Sequence, residues 1–164
     1  PRHFVENGKT ITDLSDDILY GKAILVDFSE LDDFYEITRK DLMDKLDNSD
    51  IKRVVFRFDW DKKALGTNRY YTDHPYFSDD AAQYLVEQNI TLIALDTPQP
   101  DNPKNNASSG NDAPIHKLLL RNDLLIAEYL VNLDKLNKDT FNLVVAPIKI
   151  KNSDGAPIRC FAIL

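Results

Sequence analysis

Short apolar runs alternate with amphipathic segments along the first hundred residues, and this alternation constrains the fold more than any other feature. Three runs have the composition of β-strands: "KAILVDFSEL", "KRVVFRFDW" and "NITLIALDTP". The third is continuously apolar, as in strands that are buried on both faces of a sheet. Two helical patterns separate the three runs. This order is typical of βαβ units, in which neighbouring strands pair in parallel.

Both helical patterns begin at a residue that favours helix N-termini. "TRKDLMDKLDN" starts with Thr38 as the N-cap and has Asp41 at the third helical position. "SDDAAQYLVEQN" starts in the same way at Ser78. The predicted apolar stripes are Leu42, Met43 and Leu46 in the first helix, and Ala81, Ala82, Leu85 and Val86 in the second.

The last third of the chain contains a long loop and a hairpin. Residues 98 to 114 concentrate proline, asparagine, serine and glycine, a composition typical of loops. "FNLVVAPIKI" and "IRCFAIL" are apolar runs separated by a turn with Asp154 and Gly155, which predicts a C-terminal β-hairpin. The sequence therefore predicts an α/β fold, with residues 1–164 forming one domain that has a mixed sheet and flanking helices.

Composition excludes several classes of partner. The chain has 20 basic and 27 acidic residues and a formal charge of −7, which opposes binding to nucleic acid. No apolar run reaches the ~20 residues of a membrane span, so we expect no membrane partner. No glycine-rich phosphate loop is present. The single Cys160 excludes an intrachain disulfide framework and favours a cytoplasmic location.

His116 and Glu128 stand out because they interrupt the apolar segment "APIHKLLLRNDLLIAEYLVNL". In one continuous helix, 12 residues would separate them by about 18 Å along the axis. "RND", residues 121 to 123, instead predicts a turn between a helix and a returning strand, which can bring both side chains to one end of the sheet. The alternative is that both are structural: a histidine that is hydrogen-bonded in the core and a solvated glutamate.

Several segments together resemble the putative cyclase family, whose best-known members are the bacterial kynurenine formamidases. They include "PRHF" at the start, "GKAILVDFSEL", "HPYFSDDAAQYLVEQNITLIALDTP", "PIHKLLL", "EYLVNLDKL" and "DGAPIRCFAIL". The resemblance covers nearly the whole chain and implies a cyclase-like fold of the swivelling β/β/α type. It also implies a homodimer.

The resemblance departs from the family at one important point. The family signature is HxGTHxDxPxH, and only its end is present here, as Pro1 and His3. The two histidines and the aspartate that supply metal ligands in the family lie outside this chain. We therefore expect an N-terminally truncated domain that begins within this motif and that has an incomplete metal site.

By the resemblance, His116 and Glu128 match the downstream metal ligands, and His3 matches the catalytic general acid and base. Imidazole and carboxylate suit Zn²⁺ or Mn²⁺, and a carboxylate can bridge two metals in a binuclear intact site. The implied activity is hydrolysis of a small-molecule amide or formamide by metal-activated water. Two alternatives remain open: a hydrolase of cyclic amides or lactones, and a catalytically silent homologue.

Four other residues have weaker signals. His74 is interpreted as a loop residue, with a place in the lining of the site as the alternative. Asp96 ends a strand where α/β proteins place functional side chains, but it is interpreted first as a hydrogen-bond acceptor for the turn that follows. Trp60 and Tyr129 are interpreted either as core aromatics or as contacts to an aromatic substrate.

Overall fold

A six-stranded mixed sheet forms the centre of the computed structural model, which describes residues 1–46, 50–105, 108 and 110–164. The strand order is β6-β5-β3-β1-β7-β8, and a separate pair is formed by β2 and β4. The strands are β1 Tyr20–Asp27, β2 Glu36–Ile37, β3 Arg53–Arg57, β4 Tyr76–Phe77, β5 Leu92–Leu95, β6 Leu125–Ala127, β7 Thr140–Pro147 and β8 Ile158–Ile163.

Short α-helices lie before β1 and between the strands in the described ranges of the chain. They are α1 Asp16–Leu19, α2 Arg39–Met43, α3 Trp60–Ala64, α4 Arg69–Thr72, α5 Asp79–Glu87 and α6 Pro114–Arg121. In the described part of the chain, 3-10 helix Ile11–Asp13 precedes α1 and 3-10 helix Leu133–Lys135 precedes β7. No helix in the described part of the chain is long and apolar enough to cross a membrane.

The sheet has both parallel and antiparallel pairs, as the sequence predicts. β1 pairs in parallel with β3, β3 with β5, and β5 with β6. β1 pairs antiparallel with β7, and β7 with β8, which confirms the C-terminal hairpin. The predicted α/β class is therefore confirmed. Helices α2 to α6 lie in the connections between the parallel strands, as expected for βαβ units.

Both faces of the central strands are buried. Val54, Phe56, Ile93 and Leu95 belong to the core that is shared with α2, α5 and α6. Val55, Leu92 and Ala94 point to the opposite face, where they join Phe141 and Leu143 of β7 in a second core. This explains why the third strand was continuously apolar: alternate residues enter two different cores.

The two predicted helix starts are confirmed. Thr38 caps α2, and Asp41 completes a capping box because its carboxylate accepts hydrogen bonds from the Thr38 backbone N–H and hydroxyl, at 2.8 and 2.7 Å. Ser78 caps α5 through the Ala81 N–H. Capping side chains satisfy N–H groups that have no partner within the helix.

Some details of the predicted elements are wrong. Met43 is 56% exposed, because α2 is a single short helix in which only the face of Leu42 points inward. The strand "KRVVFRFDW" ends at Arg57, since Asp59 adopts a left-handed conformation with φ 53° and Trp60 begins α3. The first helix is also shorter than predicted, since it ends at Met43 with Asp44 as its C-cap. Residues 47 and 48 of that prediction lie outside the described residues, as do residues 106, 107 and 109 of the predicted loop.

Candidate metal centre and reaction cleft

The carboxyl ends of the parallel strands lie at one edge of the sheet, and acidic residues stand there in succession. Asp27 is the last residue of β1, Asp59 follows β3, Asp96 follows β5 and Glu128 follows β6. Functional side chains of open α/β sheets occur at this edge, because loops leave the strands there in different directions. The edge of the sheet therefore contains both predicted and unpredicted candidate residues.

His116 is held in a fixed orientation by Asp101. It lies in the first turn of α6, and its Nδ1 is 2.5 Å from Asp101 Oδ2. The same carboxylate accepts the backbone N–H groups of Ile115 and His116, at 2.7 and 3.2 Å. Asp101 thus anchors the N-terminus of α6, and it fixes the ring of His116 so that Nε2 is directed elsewhere.

The free nitrogen of His116 faces Glu128. His116 Nε2 lies 3.0 Å from Glu128 Oε1, although the two atoms are not aligned as a hydrogen bond, and Oε1 is a buried acceptor without a hydrogen-bond partner among the described residues. If Nδ1 carries the proton, the Nε2 lone pair points at a carboxylate oxygen. Two acceptors at this distance need a positive charge between them.

The electrostatics of the pair agree with this geometry. Burial lowers the pKa of His116, but its contacts with Asp101 and Glu128 outweigh burial and raise that pKa to about 9. The surroundings of the ring therefore favour positive charge, which either a proton or a metal cation on Nε2 supplies. Imidazole nitrogen and carboxylate oxygen are ligands of Zn²⁺ and Mn²⁺, so this pair fits a metal.

His3 lies beside this pair but does not contact it directly. The ring of Phe4 separates them, with its centroid 4.7 Å from that of His3 and 4.6 Å from that of His116. His3 Nδ1 forms a 2.7 Å contact with Asp154 Oδ2, in the turn of the C-terminal hairpin. His3 also keeps the pKa of the Asp154 carboxyl below its usual range. The structure therefore gives the predicted catalytic histidine a carboxylate partner that sequence reasoning did not identify.

A cleft of about 1160 Å³ is lined by all three predicted site residues, His3, His116 and Glu128. Its interior is the second core face of the sheet, and it includes Leu92, Phe141 and Leu143. The cleft is also lined by four polar residues of the candidate site: His3, Asp154, His116 and Glu128. An apolar cleft with a few converging polar groups is the usual form of a small-molecule site.

An acidic cluster at the same edge was not predicted. Asp59, Asp61 and Asp96 have ligand atoms within 4.8 Å of one another. Asp96 is fully buried, and burial raises its pKa to about 7 despite its hydrogen bonds with the Phe58 and Trp60 N–H groups. These partners follow β3, so the prediction that Asp96 binds the turn after its own strand is wrong. The sequence signal was only a strand ending in aspartate.

The remaining candidates, Trp60, Tyr129 and His74, differ in their burial. Trp60 is 1% exposed and is a core residue, whereas Tyr129 is 52% exposed and lines the cleft. His74 lies in a loop, as predicted, but it is completely buried. Its Nε2 has no hydrogen-bond partner among the residues that the structure describes.

The family model described as "Putative cyclase" matches residues 1–102, which is more than half of the chain. The chain belongs to this cyclase family. The predicted family is therefore confirmed. The match includes His3 and Asp101 but ends before His116 and Glu128.

Alignments of this cyclase-family chain with individual relatives extend beyond residue 102, where the family-model match ends. It is 29% identical over 159 residues to a kynurenine formamidase of Bacillus thuringiensis subsp. konkukian, covering 97% of this chain and 70% of that protein. It is 30% identical over 166 residues to cyclase-like protein 3 of Oryza sativa subsp. japonica, covering 99% of this chain and 57% of that protein.

Solved structures give the same fold. A crystal structure of an isatin hydrolase bound to the product analogue thioisatinate has a TM-score of 0.81 and 25% identity, over 94% of this chain and 64% of that one. A potential metal-dependent hydrolase with cyclase activity has a TM-score of 0.71 and 26% identity, over 99% of this chain and 74% of that one. These structures confirm the cyclase-like fold, and both proteins are described as hydrolases.

Proposed function

We propose that this chain carries part of the active site of a metal-dependent hydrolase that cleaves the carbon–nitrogen bond of a small amide or formamide. The observation that carries the proposal is the buried pair formed by His116 Nε2 and Glu128 Oε1, at 3.0 Å. The relatives named kynurenine formamidase and isatin hydrolase support the same chemistry, since both names denote hydrolysis of a carbon–nitrogen bond.

His116 and Glu128 would hold Zn²⁺ or Mn²⁺, alone or as part of a binuclear site. When bound, such a metal supplies a Lewis acid and lowers the pKa of a water molecule. Asp101 keeps the His116 ring in the orientation that a ligand needs, as carboxylate partners of metal-bound histidines do. A catalytic zinc has about three protein ligands. We therefore propose that ligands outside this chain complete the site in an intact single domain.

His3 is proposed to move the proton. Hydrolysis of an amide adds water across the carbon–nitrogen bond, so the attacking water must lose a proton and the leaving amine must gain one. His3 lines the cleft and can accept the first proton on Nε2 and return it to the amine. Asp154 acts on this residue as a positioning group, because its contact with Nδ1 directs Nε2 away from the hairpin turn.

Elemental analysis tests the metal site. We would measure zinc and manganese in this chain and in a chain extended upstream through the family's His-x-Gly-Thr-His-x-Asp motif. Near-stoichiometric metal in the extended chain, lost in His116→Ala and Glu128→Gln, is the expected result. Absence of metal from both chains would rule out the mechanism and leave the silent homologue.

A second variant separates catalysis from metal binding. His3→Ala in the extended chain should lower turnover of an aryl formamide by about 10²-fold or more, because a positioned general acid and base contributes that much. Metal content should be unchanged. Unchanged turnover would remove His3 from the mechanism, and parallel assays of a cyclic amide and a lactone would identify the preferred bond.

We also propose a homodimer and a cytoplasmic location. Strand β8 is last in the sheet order, and its outer face exposes Phe161 and Ile163, at 48% and 49%. Exposed apolar edge strands favour pairing with another chain.

The lone Cys160 supports a reducing compartment, since one cysteine cannot form an intrachain disulfide.

A further inference from the structure

We infer that Tyr129 determines specificity by packing its ring against a planar aromatic group of the substrate, next to Glu128. The inference rests on the proposed function, because it concerns the substrate of the same cleft. It identifies a residue that binds the substrate away from the bond that is cleaved.

Tyr129 is an exposed aromatic residue next to the proposed metal ligand Glu128. It directly follows Glu128, lines the cleft and is 52% exposed. The ring is stacked on that of Tyr70, with centroids 5.9 Å apart and an interplanar angle of 30°. Because Tyr70 covers only one side, the phenol of Tyr129 still offers aromatic surface to a ligand.

Tyr70 provides a rigid support. It is 1% exposed, its hydroxyl donates to the Asp96 carbonyl at 3.0 Å, and its own carbonyl accepts the Trp60 indole N–H at 3.0 Å. An aromatic ring that rests on such a fixed neighbour loses little further conformational freedom when a ligand binds. This arrangement favours recognition by a preorganised surface.

The backbone of Tyr129 is strained. The reason for a tyrosine at this position must therefore be sought in its ring and not in its backbone. Its φ is 60°, a left-handed conformation that is unfavourable for a bulky side chain. Hydrogen bonds on both sides enforce it: Tyr129 N–H donates to the Thr97 carbonyl at 3.1 Å, and Leu130 N–H to the Leu95 carbonyl at 3.0 Å. These bonds fasten the segment to the end of β5.

Other positions in the chain show which residue types normally adopt this left-handed conformation. Among the described residues, nine non-glycine positions have positive φ, and six of them are asparagine or aspartate. Glycine or asparagine at position 129 would form the same turn at lower cost. The tyrosine therefore adds nothing to the turn itself. What it adds is an aromatic ring at a position that lines the cleft, and strained residues of this kind cluster at ligand sites.

The experiment compares two probes that differ only in the ring. Formanilide has a planar aromatic ring, and N-cyclohexylformamide carries the same formamide on a saturated ring of similar size. Their dissociation constants for the chain would be measured by NMR titration, so that no turnover is needed. We expect formanilide to bind roughly three- to tenfold more tightly, as a favourable aromatic contact implies.

Variants then assign this preference to the ring. Tyr129→Gly and Tyr129→Asn should bring the ratio of the two constants to about one without lowering the melting temperature, since both relieve the backbone. Tyr129→Phe should keep the ratio. Tyr71→Ala is the matched control, because Tyr71 is a 58% exposed tyrosine that packs on Tyr70 outside the cleft residues.

Each outcome decides the inference. An unchanged ratio in Tyr129→Gly, equal binding of both probes by the wild-type chain, or no binding of formanilide would overturn it. A lower melting temperature in Tyr129→Gly with an unchanged ratio would show that the ring only packs on Tyr70. If the ratio depends on Tyr129 but the extended chain neither holds metal nor hydrolyses formanilide, the proposed function fails and the specificity residue stands.

Discussion

At the scale of single residues, the site depends on carboxylates that act through their neighbours. Asp101 contacts no cleft surface itself, yet it binds His116 Nδ1 and two backbone N–H groups of α6. Asp154 has the same relation to His3 at the other side of Phe4. Each histidine thus has one nitrogen committed to a carboxylate and the other left for chemistry.

Asp101→Asn should weaken metal binding without removing a ligand. The neutral amide orients His116 less strongly and makes it a less basic ligand, so we expect affinity for Zn²⁺ in the extended chain to fall 10- to 100-fold. Competition with a chromophoric chelator measures this. Asp112→Asn is the control, because that exposed aspartate lies near α6 and contacts Lys117 rather than His116. Equal affinities in both variants would contradict the positioning role.

Asp96 predicts a dependence of stability on pH. Folding raises its pKa from 3.8 to about 7, so between these values the native state binds more protons than the unfolded chain. The contribution of Asp96 to the free energy of unfolding must therefore decrease as pH rises from about 4 to 7, by at most ~1.4 kcal/mol per pH unit. Above pH 7 it is constant.

Asp96→Asn isolates this contribution. The variant keeps an oxygen acceptor for the Phe58 and Trp60 N–H groups but cannot titrate. Urea unfolding of both proteins at several pH values should show wild-type stability declining relative to the variant between pH 4 and 7. Parallel profiles would mean that Asp96 ionises in the folded chain as easily as in the unfolded one.

At the scale of elements, helix starts and strand runs were predictable because their causes are local. The capping box at Thr38 and the apolar runs of β3 and β5 depend on residues close together in the sequence. The end of β3 was not predictable in this way. Just beyond the strand, the Phe58 N–H donates to the carboxylate of Asp96, which lies 38 residues further along the chain.

The capping box gives a prediction for α2. Thr38→Ala should lower the free energy of unfolding by about 1 kcal/mol, because the Asp41 N–H loses its side-chain acceptor. Thr38→Ser is the matched control, since it retains the hydroxyl and should stay close to wild type. Urea denaturation at constant pH measures both. Equal losses in the two variants would show that the methyl group of Thr38, and not its cap, stabilises the helix.

The site itself was only partly predictable from sequence. The turn after α6 brings His116 and Glu128 together as predicted, because Asn122 and Asp123 end the helix and β6 returns alongside β5. Asp101, Asp154 and the acidic cluster were missed, since their partners are distant in sequence and no local pattern marks them. The assignment of ligand and catalytic roles came from family resemblance alone.

At the scale of the whole molecule, one face of the sheet is covered by helices, while the C-terminal hairpin leaves apolar surface exposed. Tyr20, Val144 and Phe161 lie side by side across β1, β7 and β8, and Ile163 lies two residues beyond Phe161 on the same face of β8. Tyr20 is 54% exposed, and Phe161 and Ile163 are about half exposed. This surface adjoins the outer edge of β8, which has no strand partner among the described residues. A second copy could cover both.

The proposed homodimer therefore predicts the effect of a charge on this surface. Phe161→Lys should shift the chain towards monomer in sedimentation velocity, because it places a charge in the apolar contact. Met43→Lys is the control, since Met43 is equally exposed, at 56%, but lies on α2. A wild-type chain that stays monomeric at high concentration would contradict the homodimer, and a dimer that persists in Phe161→Lys would place its interface elsewhere. Because Cys160 and Ala162 alternate with Phe161 and line the cleft, a dimer through this strand would also steady one wall of the active site.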